Sequence, residues 1–349
     1  MPCRMFIELV SDALSRSCQS GTHEQTINTP QITDMRIYVH NVLQKEEREI
    51  VLSRCQGDDC WFSSHSNSEA ERRQALASSD IAFGYCPVDW LREASRLKWL
   101  QLSGVGFDQY LPLAAGGSPP FALTNLRGVF TDCVAETSLA GVLAFNRGIK
   151  QLCEKQIARS WEKDAIRTQL RTLRGSSVLV LGTGSVGRQF GAWSRALGAD
   201  VTFYGRSCPP ADICGMEALD AALPQMNVVA SFLPDTAETR HLFGRGRIGL
   251  LNKEAIFVNA GRGTLLDEAA LLGALDAGQL RGAVLDVTRD EPLPPTSALW
   301  SNDKVLLTQH TAGGRRDEQR ISVVHFAENV ERFKNGQPLA NSVDWHKGY

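Results

Sequence analysis

Several features that would indicate other classes of protein are missing from this sequence. It has no run of Lys and Arg, and its formal net charge is −2, so no nucleic-acid surface is indicated. No apolar stretch approaches the roughly 18 residues that a membrane-spanning helix needs. Nine cysteines are scattered without C-x-x-C pairs or histidines at zinc spacing, so no metal site is expected and the thiols are predicted to be reduced. With no secretory signal, the sequence predicts a cytoplasmic protein with neither a nucleic acid nor a membrane as its partner.

The segment 176–187, SSVLVLGTGSVG, is the strongest signal for a ligand site. Its apolar run Val178–Leu181 predicts a strand that is buried on both faces of a parallel sheet. Three glycines at G-x-G-x-x-G spacing follow: Gly182, Gly184 and Gly187. Helical spacing comes next, and a strand, a glycine turn and a helix in this order are typical of dinucleotide-binding folds. The amides at the helix start, around Ser185 and Val186, would then bind the pyrophosphate, whereas a glycine-rich turn in another α/β protein is the alternative.

Strand-like and helix-like segments alternate from Met35 onward, which predicts an α/β fold with parallel sheets. We expect a Rossmann-type, doubly wound dinucleotide-binding domain at residues 125–319. A second, flavodoxin-like α/β domain for the substrate is expected from residues 35–124 and 320–349, with a cleft between the two domains. Residues 1–34, which are rich in Ser, Thr, Gln and His, are expected to form a loosely ordered extension.

One long helix is predicted at residues 134–158, where apolar residues recur at helical spacing. Its apolar face is too broad for one thin core contact, so part of it is a candidate subunit interface of a homodimer. A helix packed wholly inside one subunit is the alternative. A shorter helix is predicted at residues 238–243, and an extended connector at residues 125–132.

The choice between the two nicotinamide cofactors depends on the end of the strand VTFY. Asp200 lies about 20 residues after the glycine motif, but it precedes this strand and is therefore at the wrong end for a ribose. The carboxyl end reads Gly205-Arg206-Ser207, and a guanidinium with a hydroxyl suits a 2′-phosphate. We expect NADP(H) to be preferred, with NAD(H) possible. A solvated surface arginine is the alternative explanation of Arg206.

Three residues that suit anion binding and proton transfer follow later strands. Arg262 comes after VNAG, Glu291 after DVTRD, and His310 ends VLLTQH. Each of them alone has an ordinary explanation, as a surface ion pair, a loop carboxylate or a strand-end histidine. Together, in the blocks VNAGRG, LDVTRDEPLP and TQHTAG, they resemble the signature of the D-isomer-specific 2-hydroxyacid dehydrogenases. The glycine turn, the segment FLPDTAETRHLF and the VAE helix fit the same family, and the resemblance covers roughly residues 35–349.

The resemblance implies a role for each of these residues. Arg262 would hold the carboxylate and carbonyl oxygen of the substrate through its planar fork of donors. His310 would protonate the carbonyl oxygen as hydride leaves the nicotinamide, and would take that proton back in the oxidative direction. Glu291 would hydrogen-bond His310 and fix its ring. Backbone amides of Val105 and Gly106, in the glycine turn after WLQL, would help to bind the carboxylate from the other domain.

The same resemblance implies further contacts with the cofactor. Asp286 would orient the nicotinamide carboxamide, and Arg262 and His310 would border the nicotinamide. The remaining residues expected around the cofactor, beyond the glycine turn, Arg206 and Ser207, are Leu233, Pro234, Thr239, Asn259 and Ala260. Two residues depart from the family pattern, since Gln309 replaces a common proline and Thr288 replaces a common phenylalanine.

The expected activity is therefore NADP(H)-dependent reduction of small 2-keto acids, of the glyoxylate and hydroxypyruvate class, to D-2-hydroxy acids. The formate dehydrogenase branch is disfavoured, because its histidine has Gln where this chain has Glu291. Two alternatives remain open. One is a non-catalytic, dinucleotide-sensing protein similar to a corepressor. The other is an enzyme similar to 3-phosphoglycerate dehydrogenase, although the loop 103–108 has no Arg or Lys for a substrate phosphate.

Overall fold

In the computed structural model, which describes residues 34–345, the chain forms two parallel sheets with helices on their faces. The first sheet contains five strands: β1 (Arg36–Val39), β2 (Asp59–Phe62), β3 (Ile81–Phe83), β4 (Trp99–Gln101) and β5 (Ala122–Thr124). Their spatial order is β2-β1-β3-β4-β5, and every pair is parallel. This is the flavodoxin-like order, as predicted for one of the two domains.

The second sheet contains seven strands: β6 (Ser177–Leu181), β7 (Asp200–Gly205), β8 (Ile213–Cys214), β9 (Val228–Ser231), β10 (Ile256–Asn259), β11 (Gly282–Leu285) and β12 (Val305–Leu307). Their order is β12-β11-β10-β9-β6-β7-β8, again with every pair parallel. The chain winds outward from β6 in both directions, which is the Rossmann arrangement. Its topological switch point lies between β6 and β9, where such sheets bind ligands.

Eleven α-helices connect the strands in the part of the chain from residue 34 to residue 345. They are α1 (Lys45–Arg54), α2 (Glu69–Ala77), α3 (Val88–Glu93), α4 (Thr131–Asn146), α5 (Ile149–Ile157), α6 (Lys163–Arg167), α7 (Ser185–Ala196), α8 (Met216–Ala222), α9 (Arg245–Ile248), α10 (Glu268–Asp276) and α11 (Glu318–Lys334). Short 3₁₀ turns lie at Ser63–His65, Asp108–Ala114, Leu223–Gln225, Gly263–Leu265 and Ala298–Trp300. Among these described residues no helix is both long and apolar enough to cross a bilayer.

Strand β6 shows why the second sheet is covered on both faces. Val178 and Val180 pack into one core layer, and Leu179 and Leu181 pack into the other. All four side chains are fully buried, because successive residues of a strand point to opposite faces and each face carries helices. The continuous apolar run in the sequence thus corresponds to a central strand of a doubly wound sheet.

Helix α11 brings the end of the chain back to the first sheet. Phe326 stacks on Phe83 of β3 with ring centroids 4.6 Å apart, and Val323 lies in the same core. Ser342 then forms an antiparallel bridge with Thr124 of β5. The chain therefore passes between the two sheets twice, although the exact domain boundaries stay a prediction.

The structure corrects the predicted long helix at 134–158. Helix α4 ends at Asn146, and α5 begins at Ile149. Between them Gly148 has φ +63°, a left-handed conformation that ends a helix and that glycine adopts without steric cost. The apolar periodicity runs across this break, so the periodicity alone did not reveal it.

Three further predictions need correction, and a fourth concerns residues that lie almost wholly outside the description. Residues 238–243 form turns instead of a helix, with His241 at φ +53°. Residues 127–130 turn directly into α4, so the connector is not extended throughout. Cys208 and Cys214 form a disulfide, so not all the thiols are reduced. The predicted loosely ordered extension, apart from its last residue, lies outside the described residues.

Candidate active site

The glycine turn lies at the switch point, between β6 and α7. Gly182 has φ +108°, and its amide donates to the carbonyl oxygen of Tyr204 at 2.9 Å, which joins the turn to β7. A Cβ on Gly187 would overlap the carbonyl oxygen of Gly182, so only glycine allows the helix to pack this closely on the turn. A Cβ on Gly184 would meet nothing within 4 Å, so open space lies in front of this glycine.

Helix α7 begins at Ser185, directly after Gly184. The first amides of an α-helix have no partner within the helix, and the helix dipole places partial positive charge there. The amides of Ser185 and Val186 therefore border the open space at Gly184. The arrangement fits a pyrophosphate, the group that was expected at this position.

The carboxyl end of β7, where the adenosine ribose was expected, lies beside the glycine turn. Gly205 packs against Thr183 of the glycine turn, since a Cβ there would lie 3.4 Å from Thr183 Cγ2. Arg206 and Ser207 follow at once and are exposed. Asp200 pairs with Ser177 at the amino end of the same strand, about 16 Å away at the usual rise of a strand. The structure thus excludes Asp200 as a ribose ligand.

The loop after β9 is held together by Thr239. Its hydroxyl donates to the carbonyl oxygen of Pro234 at 2.6 Å and accepts from the amide of Thr236 at 2.9 Å. Leu233 and Pro234 therefore keep a fixed position at the switch point. The Thr239 hydroxyl is itself occupied by these contacts, so the structure gives Thr239 a role in shaping the loop.

The turn after β10 is held by the buried side chain of Asn259. Its Nδ2 donates to the carbonyl oxygen of Arg262 at 2.9 Å, and its Oδ1 accepts from the amide of Gly261 at 3.2 Å. Ala260 bonds through its amide to Ser231 of β9 at 3.1 Å. A Cβ on Gly261 would lie 2.5 Å from the carbonyl oxygen of Leu233, so this turn touches the loop after β9.

Arg262 reaches from the second sheet to the loop after β4 in the first. Its Nε donates to Oδ2 of Asp108 at 2.8 Å, and its Nη1 donates to the carbonyl oxygen of Gly261 at 2.8 Å. Nη2 lies 2.9 Å from the position that a Cβ of Gly106 would occupy. Nη2 is therefore the guanidinium nitrogen that faces the Val105–Gly106 loop. The expectation was that the planar fork of donors would hold the substrate, but Nε and Nη1 are engaged within the protein.

Asp108 is the site residue that the sequence did not predict. It begins the 3₁₀ turn Asp108–Ala114, two residues after Gly106, and it provides the ion pair that orients Arg262. The only indication in the sequence was the position of Asp108 at the end of the loop that was expected to bind the substrate carboxylate. A negative charge is unfavourable beside an anionic substrate, so this position argued against a role for Asp108 in the site.

Tyr85 also contacts the loop that contains Val105 and Gly106. Its hydroxyl donates to the carbonyl oxygen of Gly106 at 2.9 Å, and a Cβ on Gly104 would lie 2.5 Å from that hydroxyl. Burial raises the pKa of Tyr85 to about 12, against a lowering influence of Arg262. The hydroxyl therefore remains a donor at neutral pH and fixes the backbone beside Val105.

His310 and Glu291 form a hydrogen-bonded pair. His310 Nδ1 lies 2.5 Å from Glu291 Oε2, and Glu291 Oε1 accepts from the amide of Thr288 at 3.0 Å. The side chain of His310 is 55% exposed, so solvent or a ligand can reach its ring. With Nδ1 engaged, Nε2 is the ring nitrogen that can exchange a proton with a ligand.

Asp286 anchors the turn that carries His310. Its Oδ1 accepts from the Thr308 hydroxyl at 2.6 Å and from the amides of Thr311 and Ala312, both at 3.1 Å. Its carbonyl oxygen accepts from the amide of His310 at 2.6 Å. The structure thus gives Asp286 a positioning role, while its expected contact with a nicotinamide carboxamide stays a proposal.

The backbone of this turn explains one departure from the family pattern. Gln309 has φ +53° and His310 has φ +56°, both in the left-handed region. The ring of proline fixes φ near −65°, so proline is incompatible with position 309 in this conformation. The second departure, Thr288, donates from its hydroxyl to the carbonyl oxygen of Asp290 at 2.9 Å and thereby stabilises the loop that presents Glu291.

These groups form one continuous set of contacts. A Cβ on Gly263 would overlap the carbonyl group of Thr288, so the Arg262 turn packs directly on the loop that carries Glu291. The contacts run from Asp108 to Arg262, across Gly263 to Thr288, and on to His310 through Glu291. From residue 34 to residue 345, no group of three or more His, Cys, Asp or Glu side chains is placed to hold a metal ion.

Comparison with known proteins gives the same assignment for the second sheet. A sequence model described as D-isomer specific 2-hydroxyacid dehydrogenase, NAD binding domain, matches residues 139–312. The chain is 32% identical over 287 residues to the glyoxylate reductase of Aeropyrum pernix. This alignment covers 79% of this chain and 84% of that protein. It is 30% identical to the D-3-phosphoglycerate dehydrogenase of Methanocaldococcus jannaschii, over 73% of this chain but only 49% of that protein.

Solved structures extend the likeness to both sheets. One is the NADPH-dependent glyoxylate/hydroxypyruvate reductase of Sinorhizobium meliloti in complex with NADP and sulfate. It superimposes with a TM-score of 0.76 at 27% sequence identity, over 90% of this chain and 99% of that chain.

Alanine substitutions at two glycines of the turn should differ in their effect on the stability of the ligand-free protein. Gly187→Ala should lower the free energy of unfolding of the ligand-free protein by about 2–3 kcal/mol, since the clash is with backbone and cannot relax by a rotamer change. Gly184→Ala should cost less than about 1 kcal/mol, the worth of an N-cap preference, because a Cβ there meets open space. Thermal unfolding without ligand measures both effects.

For the affinity of the same variants for NADPH or NADH, we expect the opposite ranking, with the larger loss in Gly184→Ala. A methyl group on Gly184 occupies the space in front of the helix start, so we expect this variant to lose at least about tenfold in affinity, or 1.4 kcal/mol. A Gly187→Ala protein as stable as the wild type would contradict the packing described for this turn.

Proposed function

The chain belongs to the D-isomer-specific 2-hydroxyacid dehydrogenase family, oxidoreductases that use NAD(P), and from this premise we propose that it reduces small 2-keto acids of the glyoxylate and hydroxypyruvate class with NADPH. The observation that carries the proposal is the continuous contact from Arg262 to the His310–Glu291 pair, at the carboxyl ends of β10, β11 and β12. Reduction of a 2-keto acid requires an anion-binding cation near a proton donor, so this contact supports the proposal.

Substrate binding is assigned to groups from both sheets. The carboxylate would accept from Nη2 of Arg262 and from the backbone amides of Val105 and Gly106. The ion pair with Asp108 holds the guanidinium in this direction before a ligand arrives. Such fixed donors are effective because little side-chain freedom is lost on binding.

Proton transfer is assigned to His310. Nε2 would donate a proton to the carbonyl oxygen of the substrate and would recover it in the reverse direction. Glu291 accepts from Nδ1 and keeps the ring in one orientation throughout. A reduced nicotinamide bound along the switch point would supply the hydride. The open space at Gly184 and the amides of Ser185 and Val186 fit its pyrophosphate, and the loops at Leu233 and Asn259-Ala260 would border its nicotinamide end.

Preference for NADPH is proposed from the end of β7. Arg206 and Ser207 lie beside the glycine turn, where the adenosine ribose would be bound. A 2′-phosphate carries close to two negative charges, and both side chains can donate charge-assisted hydrogen bonds to it. The solved reductase from Sinorhizobium meliloti is named as NADPH-dependent, which supports the same choice.

A phosphorylated substrate is less favourable, although one relative is a D-3-phosphoglycerate dehydrogenase. The loop 103–108 contains no Arg or Lys, and Asp108 adds a negative charge beside the expected substrate. A corepressor-like protein without turnover is the remaining alternative. A steady-state screen of 2-keto acids with NADPH and NADH separates these functions, because the corepressor would show no turnover with any substrate. The cytoplasmic location also stays a prediction.

We also propose that the chain forms a homodimer through α5 and α6. Trp161 is 91% exposed and Ile157 is 84% exposed, which is unusual for side chains of this size. Trp161 and Leu152 border an open groove of about 670 Å³ between the two helices. An exposed apolar surface of this kind suits a two-fold dimer, in which the same surface of each subunit is buried and which is the commonest assembly of soluble proteins.

Removal of the proposed proton donor should lower the rate of the chemical step without changing the affinity for the cofactor. His310→Ala should lower kcat by roughly 10²–10⁴-fold, the usual contribution of positioned acid–base catalysis, and should leave the affinity for NADPH within about twofold. Stopped-flow or steady-state kinetics and a binding titration measure the two quantities. His65→Ala, which removes an exposed histidine beside β2, is the matched control. Near wild-type kcat in His310→Ala would exclude His310 as the donor.

Cofactor preference should depend on Arg206. One charge-assisted hydrogen bond contributes roughly 1.5–3 kcal/mol, so the wild type should prefer NADPH over NADH by roughly 10- to 100-fold in kcat/KM. Arg206→Ala should remove most of this preference, and Arg206→Asp should shift it toward NADH. Arg92→Ala, an exposed arginine on α3, serves as the control. Equal use of both cofactors by the wild type, unchanged in Arg206→Ala, would leave Arg206 as a solvated surface residue.

The dimer proposal is tested by adding charge to its surface. Trp161→Lys should weaken dimerisation at least about 30-fold, the effect of losing a central aromatic contact, with little loss of fold stability because the side chain is exposed. Sedimentation across a concentration series measures the constant. Val42→Lys, at another exposed apolar position, should leave it unchanged. A wild type that sediments as a monomer at micromolar concentration would refute the dimer and would not affect the catalytic proposal.

A further inference from the structure

The disulfide between Cys208 and Cys214 lies next to the residues assigned to cofactor choice. Cys208 directly follows Arg206 and Ser207, and Cys214 is the second residue of β8. In the sheet, Cys214 is the register partner of Gly205, the last residue of β7. The bridge therefore connects the segment after Ser207 back to the strand that flanks Gly205.

Arg206 and Ser207 are consequently fixed at both ends. Gly205, before them, is held in the sheet and packs against Thr183 of the glycine turn. Cys208, after them, is held by its covalent bond to Cys214. Without the bridge, this second constraint would be lost.

Noncovalent contacts also hold this loop, and Ala211 within it is buried. Within the loop, the amide of Ala211 donates to the carbonyl oxygen of Ser207 at 3.2 Å. Asp212 exchanges two hydrogen bonds with the backbone of Phe203, at 2.7 and 2.9 Å. Strand β8 has only two residues and lies at the edge of the sheet, so it is a weak anchor by itself.

We propose that Cys208 and Cys214 are positioning residues for the cofactor, and that their disulfide holds Arg206 and Ser207 in the place where they bind the 2′-phosphate of NADPH. Reduction of the bridge lowers the preference for NADPH over NADH, while catalysis with NADH is maintained. The inference rests on the proposed NADPH preference and extends it to a redox dependence. Cys208 is exposed, so small thiols can reach the bridge.

The redox step is a thiol–disulfide exchange. On closure, the two thiols lose two protons and two electrons to a small disulfide such as oxidised glutathione, which becomes two molecules of thiol. On opening, a dithiol such as dithiothreitol attacks one sulfur, forms a mixed disulfide, and is released as its own cyclic disulfide. The protein then carries two thiols.

The experiment compares the full-length protein after treatment with oxidised glutathione and after treatment with dithiothreitol. Alkylation and mass spectrometry of the peptide that contains Cys208 and Cys214 report the state of the bridge. We expect kcat/KM for NADPH to fall by about 2- to 12-fold on reduction, the effect of having to order one mobile side chain on binding, and kcat/KM for NADH to change less than twofold.

Two variants complete the test. The double variant Cys208→Ser/Cys214→Ser should show the lower NADPH preference of the reduced protein and should not respond to dithiothreitol. Cys153→Ser, which removes an exposed cysteine on α5, should respond as the wild type does.

Several outcomes would overturn the inference. One is an NADPH/NADH ratio of kcat/KM that is equal in the oxidised and reduced states. A second is a proportional loss with both cofactors, which would show a merely structural role, and a third is two free thiols on the peptide after oxidation. The ratio in the oxidised wild type reports separately on the proposed function, since a value near 1 that Arg206→Ala leaves unchanged would refute the NADPH preference itself.

Discussion

Two backbone contacts that only glycine permits hold the active-site loops together. Arg262 stands between Gly261, which touches the carbonyl oxygen of Leu233, and Gly263, which touches the carbonyl group of Thr288. A side chain at either position would push the turn away from a neighbouring strand end. Because both contacts involve backbone, they fix the backbone on either side of Arg262. The Glu291 side chain that pairs with His310 is held by a hydrogen bond from the amide of Thr288.

The ion pair between Arg262 and Asp108 adds the first sheet to this arrangement. It crosses from the loop after β10 to the loop after β4, over a sequence separation of 154 residues. Its carboxylate directs the guanidinium but also reduces the positive charge that an anionic ligand meets. Under the proposed function, a substrate with one carboxylate would bind through Nη2, and each additional negative charge would be repelled by Asp108. The residue that orders Arg262 would then favour small, singly charged acids.

The sequence predicted the fold, and it named most of the residues of the candidate site, because both depend on local patterns. The apolar run at β6, the glycine spacing and the strand-end positions of Arg262 and His310 are each visible within a few residues. Asp108 was missed because its role depends on a partner far away in the chain. The helix break at Gly148 was missed because apolar periodicity continues across it. The Cys208–Cys214 bridge was missed because spacing alone does not show that two cysteines meet across an edge strand. The short strands β2, β5 and β8 have no distinctive apolar run, and their pairing comes from the sheet that they join.

The return of α11 to the first sheet has a consequence for biosynthesis. The strands of that sheet are translated first, but Val323, Phe326 and Val330 complete the core around Phe83 and Trp99. All three belong to α11, which follows the strands of both sheets in the sequence, so the face of the first sheet that they cover cannot be buried until α11 has been synthesised. The seven-stranded sheet draws its core from residues 135–307 and has no such dependence. The core of the second sheet can therefore be complete while one face of the first sheet is still uncovered, and that face would be open to chaperones in the interval.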